Sequence, residues 1–193
     1  CLDDGSDVRG DDVYDRYDYT TFERGGDDDD SKEEGSSSSS KKVKVTLDSF
    51  TKLRVLGKGA FAKVLLVKKE DTGTIYALKV LKKHHVARKN QIEHTRTERR
   101  VLGALRHPFI CQLRYAFQTQ AKLYLVLDYH PGGELFYHLS RRGKFPEHEA
   151  RVYAAEIVLA LRYLHSKGYV HRDLKPENIL LSAKKGDPLL GGK

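Results

Sequence analysis

The segment His171-Arg172-Asp173-Leu174-Lys175-Pro176-Glu177-Asn178 concentrates residues able to do chemistry. It sets an aspartate, a lysine two places on and an asparagine five places on, ahead of the apolar run Ile179-Leu180-Leu181. Phosphoryl transfer needs that complement: a carboxylate near an incoming hydroxyl, a cation near the transferred phosphate and an oxygen ligand for a metal ion. A charged surface loop could supply any two of the three by accident. The full set, in this order and downstream of two further signals, points to the chemistry.

The nearer signal is Ala77-Leu78-Lys79. A lysine inside an apolar run needs an anionic partner to justify its burial. Phosphate oxygens are one such partner; the plainer reading is an edge-strand lysine facing water. Glu98, 19 residues later, favours the first, because a helix-to-sheet ion pair would hold Lys79 in place. Glu93 is the competing acid, but Glu98 sits beside Val101 and Leu102, nearer the inward side of its helix. The farther signal is Gly57-Lys58-Gly59-Ala60-Phe61-Ala62-Lys63-Val64. Glycines between two strands let backbone amides close over phosphates with no Cβ in the way. A dinucleotide fingerprint is disfavoured because a strand follows the loop, and a Walker loop because no Gly-Lys-Ser/Thr closes it.

The elements that must position these residues begin near residue 46. Phe50–Leu56, Val64–Val67 and Ile75–Leu81 read as strands, with Asp71, Thr72 and Gly73 supplying turn chemistry. Residues 90–106 read as a helix on the spacing of Ile92, Val101, Leu102 and Leu105, ended by His107-Pro108. Cys111–Phe117 and Leu123–Tyr129 would extend the sheet to five strands. Pro131-Gly132-Gly133 then precedes a short helix near Leu135–Ser140 and a long one at 147–166. On the long helix Ala150, Ala154, Ile157, Val158, Leu161 and Leu164 share a stripe. A small antiparallel sheet with one helix, leading into a helical region, is an α+β arrangement.

Charge divides the chain. Residues 1–35 carry 14 acidic and 4 basic side chains, a net of −10, and the rest carries 13 and 31, a net of +18. Residues 1–45 read as a disordered acidic, serine-rich tail, with Asp27–Asp30 and Ser36–Ser40 as its low-complexity blocks. Within it Tyr14, Tyr17, Tyr19 and Phe22 are spaced as in a short aromatic docking motif, beside the simpler reading of a solvated tail. A basic globular part suits nucleic acid, an anionic surface or a nucleotide. No nucleic-acid-binding fold or zinc-ligand pattern accompanies it, so no nucleic acid is expected. Cys1 and Cys111 make no disulfide framework, which fits an intracellular location, cytoplasmic or nuclear. No stretch approaches the ~20 apolar residues of a transmembrane helix.

Taken together, the glycine loop, Ala-Leu-Lys, the helix glutamate and His-Arg-Asp-Leu-Lys-Pro-Glu-Asn resemble the protein-kinase signature set. The likeness runs over residues 46–181, with a first lobe at 46–130 and the start of a second at 131–181. His94-Thr95-Arg96-Thr97-Glu98-Arg99-Arg100-Val101-Leu102, His107-Pro108-Phe109-Ile110, Tyr115-Ala116-Phe117-Gln118-Thr119 and Pro131-Gly132-Gly133-Glu134-Leu135-Phe136 narrow it to the AGC serine/threonine kinases. Among these it is most similar to the ribosomal protein S6 and mitogen- and stress-activated kinases.

The resemblance implies ATP and magnesium as cofactors, and proteins with serine or threonine near arginine or lysine as substrates. It implies that Leu56, Gly57, Lys58, Gly59, Ala60, Phe61 and Ala62 cover the nucleotide while Val64 and Ala77 pack on the purine. Lys79, held by Glu98, would pair the phosphates, and Leu127 would back the adenine pocket. Asp128 to His130 would form the hinge, with Glu134 completing the nucleotide set. Asp173 would be the catalytic base, Lys175 would steady the γ-phosphate and Asn178 would bind the metal. Glu134 and Glu177 would select arginine before the acceptor, and Arg172 would meet a phosphorylated loop. Two local departures are Ala62 at the third glycine position and Pro146 where serine or threonine often caps the long helix. The larger departure is that residues 182–193 leave the pattern, with no Asp-Phe-Gly after Leu181. That raises a second expectation, a nucleotide-binding or scaffold piece without transfer activity.

Overall fold

A computed structural model describes residues 22–23, 45–59, 62–88 and 92–182. The expectations for most of residues 1–44, for Ala60 and Phe61, and for 183–193 lie outside the described residues. The chain divides into two compact units, one holding residues up to Gly103 with Leu113–Asp128, the other holding Ala104–Gln112 with residues from Tyr129 onward.

The first unit is a twisted antiparallel sheet with helices. Its strands are β1 (Phe22–Glu23), β2 (Phe50–Lys58), β3 (Ala62–Lys69), β4 (Ile75–Lys82), β5 (Leu113–Gln118) and β6 (Lys122–Asp128). They lie in the order β1-β5-β6-β4-β3-β2. Five strands fall where the alternating and apolar runs place them. The sixth, β1, comes from the segment read as a tail, and Val45 at that segment's other end is buried. Helix α1 (Lys83–Arg88), not anticipated, follows β4 directly, and α2 (Ile92–Ala104) is the expected helix, ending two residues earlier than expected.

Register explains how the sheet is held. Side chains alternate between faces along a strand, and directly opposed residues share a face. Leu78 opposes Leu65 and Val126, and this face carries a core of Val45, Phe50, Leu65, Val67, Leu78, Phe117, Tyr124 and Val126. The other face carries Leu81, Leu113, Ala116, Leu123 and Leu125, with Val86 and Ala87 of α1 and Leu102 of α2 packed against them. Lys79 belongs to this second face, since it opposes Val64 on β3 and Leu125 on β6.

The second unit contains β7 (Gly133–Glu134), α3 (Leu135–Arg142), α4 (Glu147–Ser166) and β8 (Leu180–Leu181). β7 pairs with β8 in a two-residue ribbon. Pro146 stands at the N-cap of α4 and supplies no side-chain cap. The predicted stripe on α4 is only partly covered: Leu164 is buried, Ile157 and Leu161 are half-buried, and Val158 is 60% exposed.

Candidate active site

In the first unit, Lys79 Nζ lies 2.5 Å from Glu98 Oε1, joining β4 to α2. Both side chains are partly covered, at 25% and 37% exposure, so the pair is screened less than a surface bridge. The strand sets Lys79's face and the helix brings its carboxylate over that face; the side chain of the competing Glu93 lies outside the described residues. Ala77 opposes Leu127, so Val64, Ala77, Lys79 and Leu127 line one face, all half-buried. Leu56, also half-buried, sits in an irregularity between Val55 and Gly57, whose Cβ position is open space. Lys58 and Gly59 are exposed, and the Gly59 N–H donates to the Ala62 carbonyl at 2.8 Å.

Asp128, expected in the hinge, has its carboxylate gripped by Arg114 of β5, Nε to Oδ1 at 2.7 Å and Nη2 to Oδ2 at 3.2 Å. Its side chain is therefore committed within the sheet, leaving the backbone for any ligand. Sequence reading missed Arg114 because it sits in a bulge between Leu113 and Tyr115, which breaks the alternation that would have placed it.

In the second unit, Asp173 organises a small network. Lys175 Nζ donates to Oδ1 at 3.0 Å, and Asn178 Nδ2 donates to the Asp173 carbonyl at 2.8 Å and to Oδ2 at 2.9 Å. Both partners of the Asn178 amide nitrogen are acceptors, which fixes the amide orientation and turns Oδ1 away as an oxygen donor. One such oxygen fits magnesium, which takes few protein ligands and completes its shell with water and phosphate. Asn178 closes a 3-10 turn, Pro176–Asn178, whose proline pre-sets the first dihedral. Just before Asp173, Arg172 adopts φ 63°, a left-handed conformation that non-glycine residues rarely hold. The lysine ammonium, and after it the asparagine amide, hold the Asp173 carboxyl below its ordinary range. A carboxylate so stabilised is a weak base and a firm hydrogen-bond acceptor.

The same unit carries the remaining expected residues. His130 Nδ1 lies 3.1 Å from Ser182 Oγ. Glu134 is exposed at the N-cap of α3, and Glu177 is exposed in the 3-10 turn. The β7–β8 ribbon ties their backbones together: Gly132 N–H donates to the Leu181 carbonyl at 3.0 Å and Leu135 N–H to the Ile179 carbonyl at 2.9 Å. Gly132 has to be glycine, because a Cβ there would stand 2.5 Å from the Leu181 carbonyl oxygen.

Comparison with known proteins places these features. Residues 50–190 match the protein kinase domain family. The RAC family serine/threonine-protein kinase homolog of Dictyostelium discoideum is 54% identical over 142 residues, 74% of this chain and 32% of that protein. Serine/threonine-protein kinase AtPK1/AtPK6 of Arabidopsis thaliana is 54% identical over 137 residues, 71% of this chain and 30% of that protein. Human RAC-beta serine/threonine-protein kinase is 52% identical over 140 residues, 72% of this chain and 29% of its own length. The chain thus spans about a third of the length of the curated relatives it matches. These relatives agree with the AGC likeness. RAC and AtPK types stand level in identity, which singles out no S6-kinase subtype.

Proposed function

We propose, from the premise that this chain belongs to the protein kinase domain family, that it binds ATP and carries the residues for transferring phosphate to serine or threonine of protein substrates. The observation that carries this reading is the Lys79–Glu98 pair, made between a strand and a helix over 19 residues. Lys79, so fixed, offers a point charge to the α- and β-phosphates. Val64, Ala77, Leu127 and Leu56 offer apolar surface to the purine, and the Gly57–Ala62 loop offers amides to the phosphates. Asp128 to His130 would read the adenine edge through the backbone.

At the transfer step Asp173 orients the acceptor hydroxyl and accepts its proton late, as suits a weak base in a loose transition state. Lys175 steadies the departing phosphate, and Asn178 Oδ1 would hold magnesium. The ion, when bound, neutralises charge building on the phosphate oxygens. Exposed Glu134 and Glu177 suit a substrate with arginine before the acceptor. The reading is of an AGC serine/threonine kinase working inside the cell; among the described residues no helix is long and apolar enough to cross a membrane.

A second reading, nucleotide binding without transfer, is favoured by one observation: residues 182–193 contain no Asp-Phe-Gly. The two separate in one experiment. The purified chain is titrated with ATP, with and without magnesium, and labelled phosphate incorporation into an arginine-rich serine peptide is measured. Binding that Lys79→Arg weakens and Asp173→Asn leaves intact supports the site. Incorporation that Asp173→Asn lowers by orders of magnitude supports the kinase reading. Binding with no incorporation supports the second, and no binding overturns both.

A further inference from the structure

We propose that the outer edge of β5 is a docking surface for an added strand, and that the acidic N-terminal segment occupies it in cis through Phe22 and Glu23. The register sets Phe22 opposite Ala116 and Glu23 opposite Tyr115, antiparallel. β5 has β6 on one side, and β1 lies along its other edge at Tyr115 and Ala116, the edge position from which a further strand can be added. This strand is not peripheral: Leu113, Ala116 and Phe117 are buried and supply both sheet cores. An open edge there would be a template for pairing with other chains.

Two observations make the chain's own segment the occupant. Val45 is 4% exposed and belongs to the same core cluster as Phe117, the residue after Phe22's partner. Glu23, at the edge of the sheet, and Val45, in the core of one of its faces, are therefore both fixed to that sheet and joined by the 21 residues 24–44. A 21-residue connection reaches at most about 70 Å, ample for that span, and covalent attachment makes the local concentration high. The second observation is charge. The segment containing Phe22 and Glu23 carries −10 over residues 1–35, against +18 on the remainder, so the attraction between them is of long range and salt-sensitive. Recognition is of an extended acidic, aromatic peptide by main-chain pairing.

The test is amide hydrogen exchange by mass spectrometry on the full chain and on its Phe22→Pro/Glu23→Pro variant. Proline has no N–H and cannot hold an internal ladder position. The variant is expected to exchange at least about tenfold faster over residues 113–118, with residues 62–69 unchanged. A synthetic peptide of residues 17–28, added to the variant, is expected to restore protection at low salt and less so at high salt. Equal exchange in both chains overturns the proposal. Protection that grows with protein concentration also overturns it, because the strand then comes from a second copy. Should the double variant fail to fold by circular dichroism, Glu23→Lys is measured in its place. A smaller acceleration at residues 113–118 supports the proposal, and none overturns it.

Discussion

The two units hold their candidate residues by different means. In the sheet unit, Lys79 stands on a strand whose neighbour Leu78 is wholly buried, with apolar cores on both faces. In the second unit, Asp173 is 66% exposed and Lys175 46%, and hydrogen bonds within six residues set their geometry. Apolar side chains around them are open too, Val170 at 65% and Leu174 at 48%. The candidate residues of the first unit are positioned by packing, those of the second by local polar contacts and backbone closure. Packing is cooperative over many residues, whereas a local network depends on a few, so the two should fail differently under substitution.

The largest expected effect is in the first core. Leu78→Ala should destabilise the sheet unit by about 2–5 kcal/mol, while Val158→Ala on α4 should stay within about 0.5 kcal/mol. Denaturant melts compare them, and equal losses would break the contrast. Next comes the ribbon in the second unit. Gly132→Ala forces a Cβ against the Leu181 backbone, which cannot swing aside, and should cost near 3 kcal/mol, the upper end for overpacking. A small thermal shift would mean that the ribbon is softer than its contacts imply.

Arg114→Gln tests a polar contact inside the packed unit. It removes a two-pronged bond from a carboxylate only a quarter exposed and should cost about 1.5 kcal/mol. A double-mutant cycle with Asp128→Asn should show coupling, and additivity would demote the pair to a surface bridge.

The smallest effect sharpens the other side. Asp173's carboxyl is depressed when folded, chiefly by Lys175, so its contribution to stability is present above the ordinary carboxylate range and lost as pH falls through the depressed value. Lys175→Met should move its titration upward toward the ordinary range, read by carbon-detected NMR, with no change near neutrality. An unmoved titration would assign the depression to Asn178 alone.

Much of the site was legible because its residues lie in local patterns. Asp173, Lys175 and Asn178 fall within one short turn, so spacing alone put them together, and the Pro176 that shapes the turn is in the same motif. The long helix was readable to its ends, since its periodicity runs unbroken over 20 residues. Long-range contacts were less legible. The Lys79–Glu98 pair was inferred by preferring one acid over another, and only the packing of α2 over the sheet brings the two atoms to 2.5 Å. Arg114 reaching Asp128 depends on a bulge that no alternation announces. The strand at Phe22 and Glu23 is the extreme case, two residues in a polar, acidic context whose own composition favours no structure. By itself the sequence determined the chemistry on offer, because motif spacing and strand or helix period are properties of neighbours along the chain. Tertiary structure decided which carboxylate holds Lys79, which arginine holds the Asp128 carboxylate and what lies along the sheet edge. Those choices turn on register and packing between segments far apart in sequence, where side-chain type alone leaves several partners equally plausible.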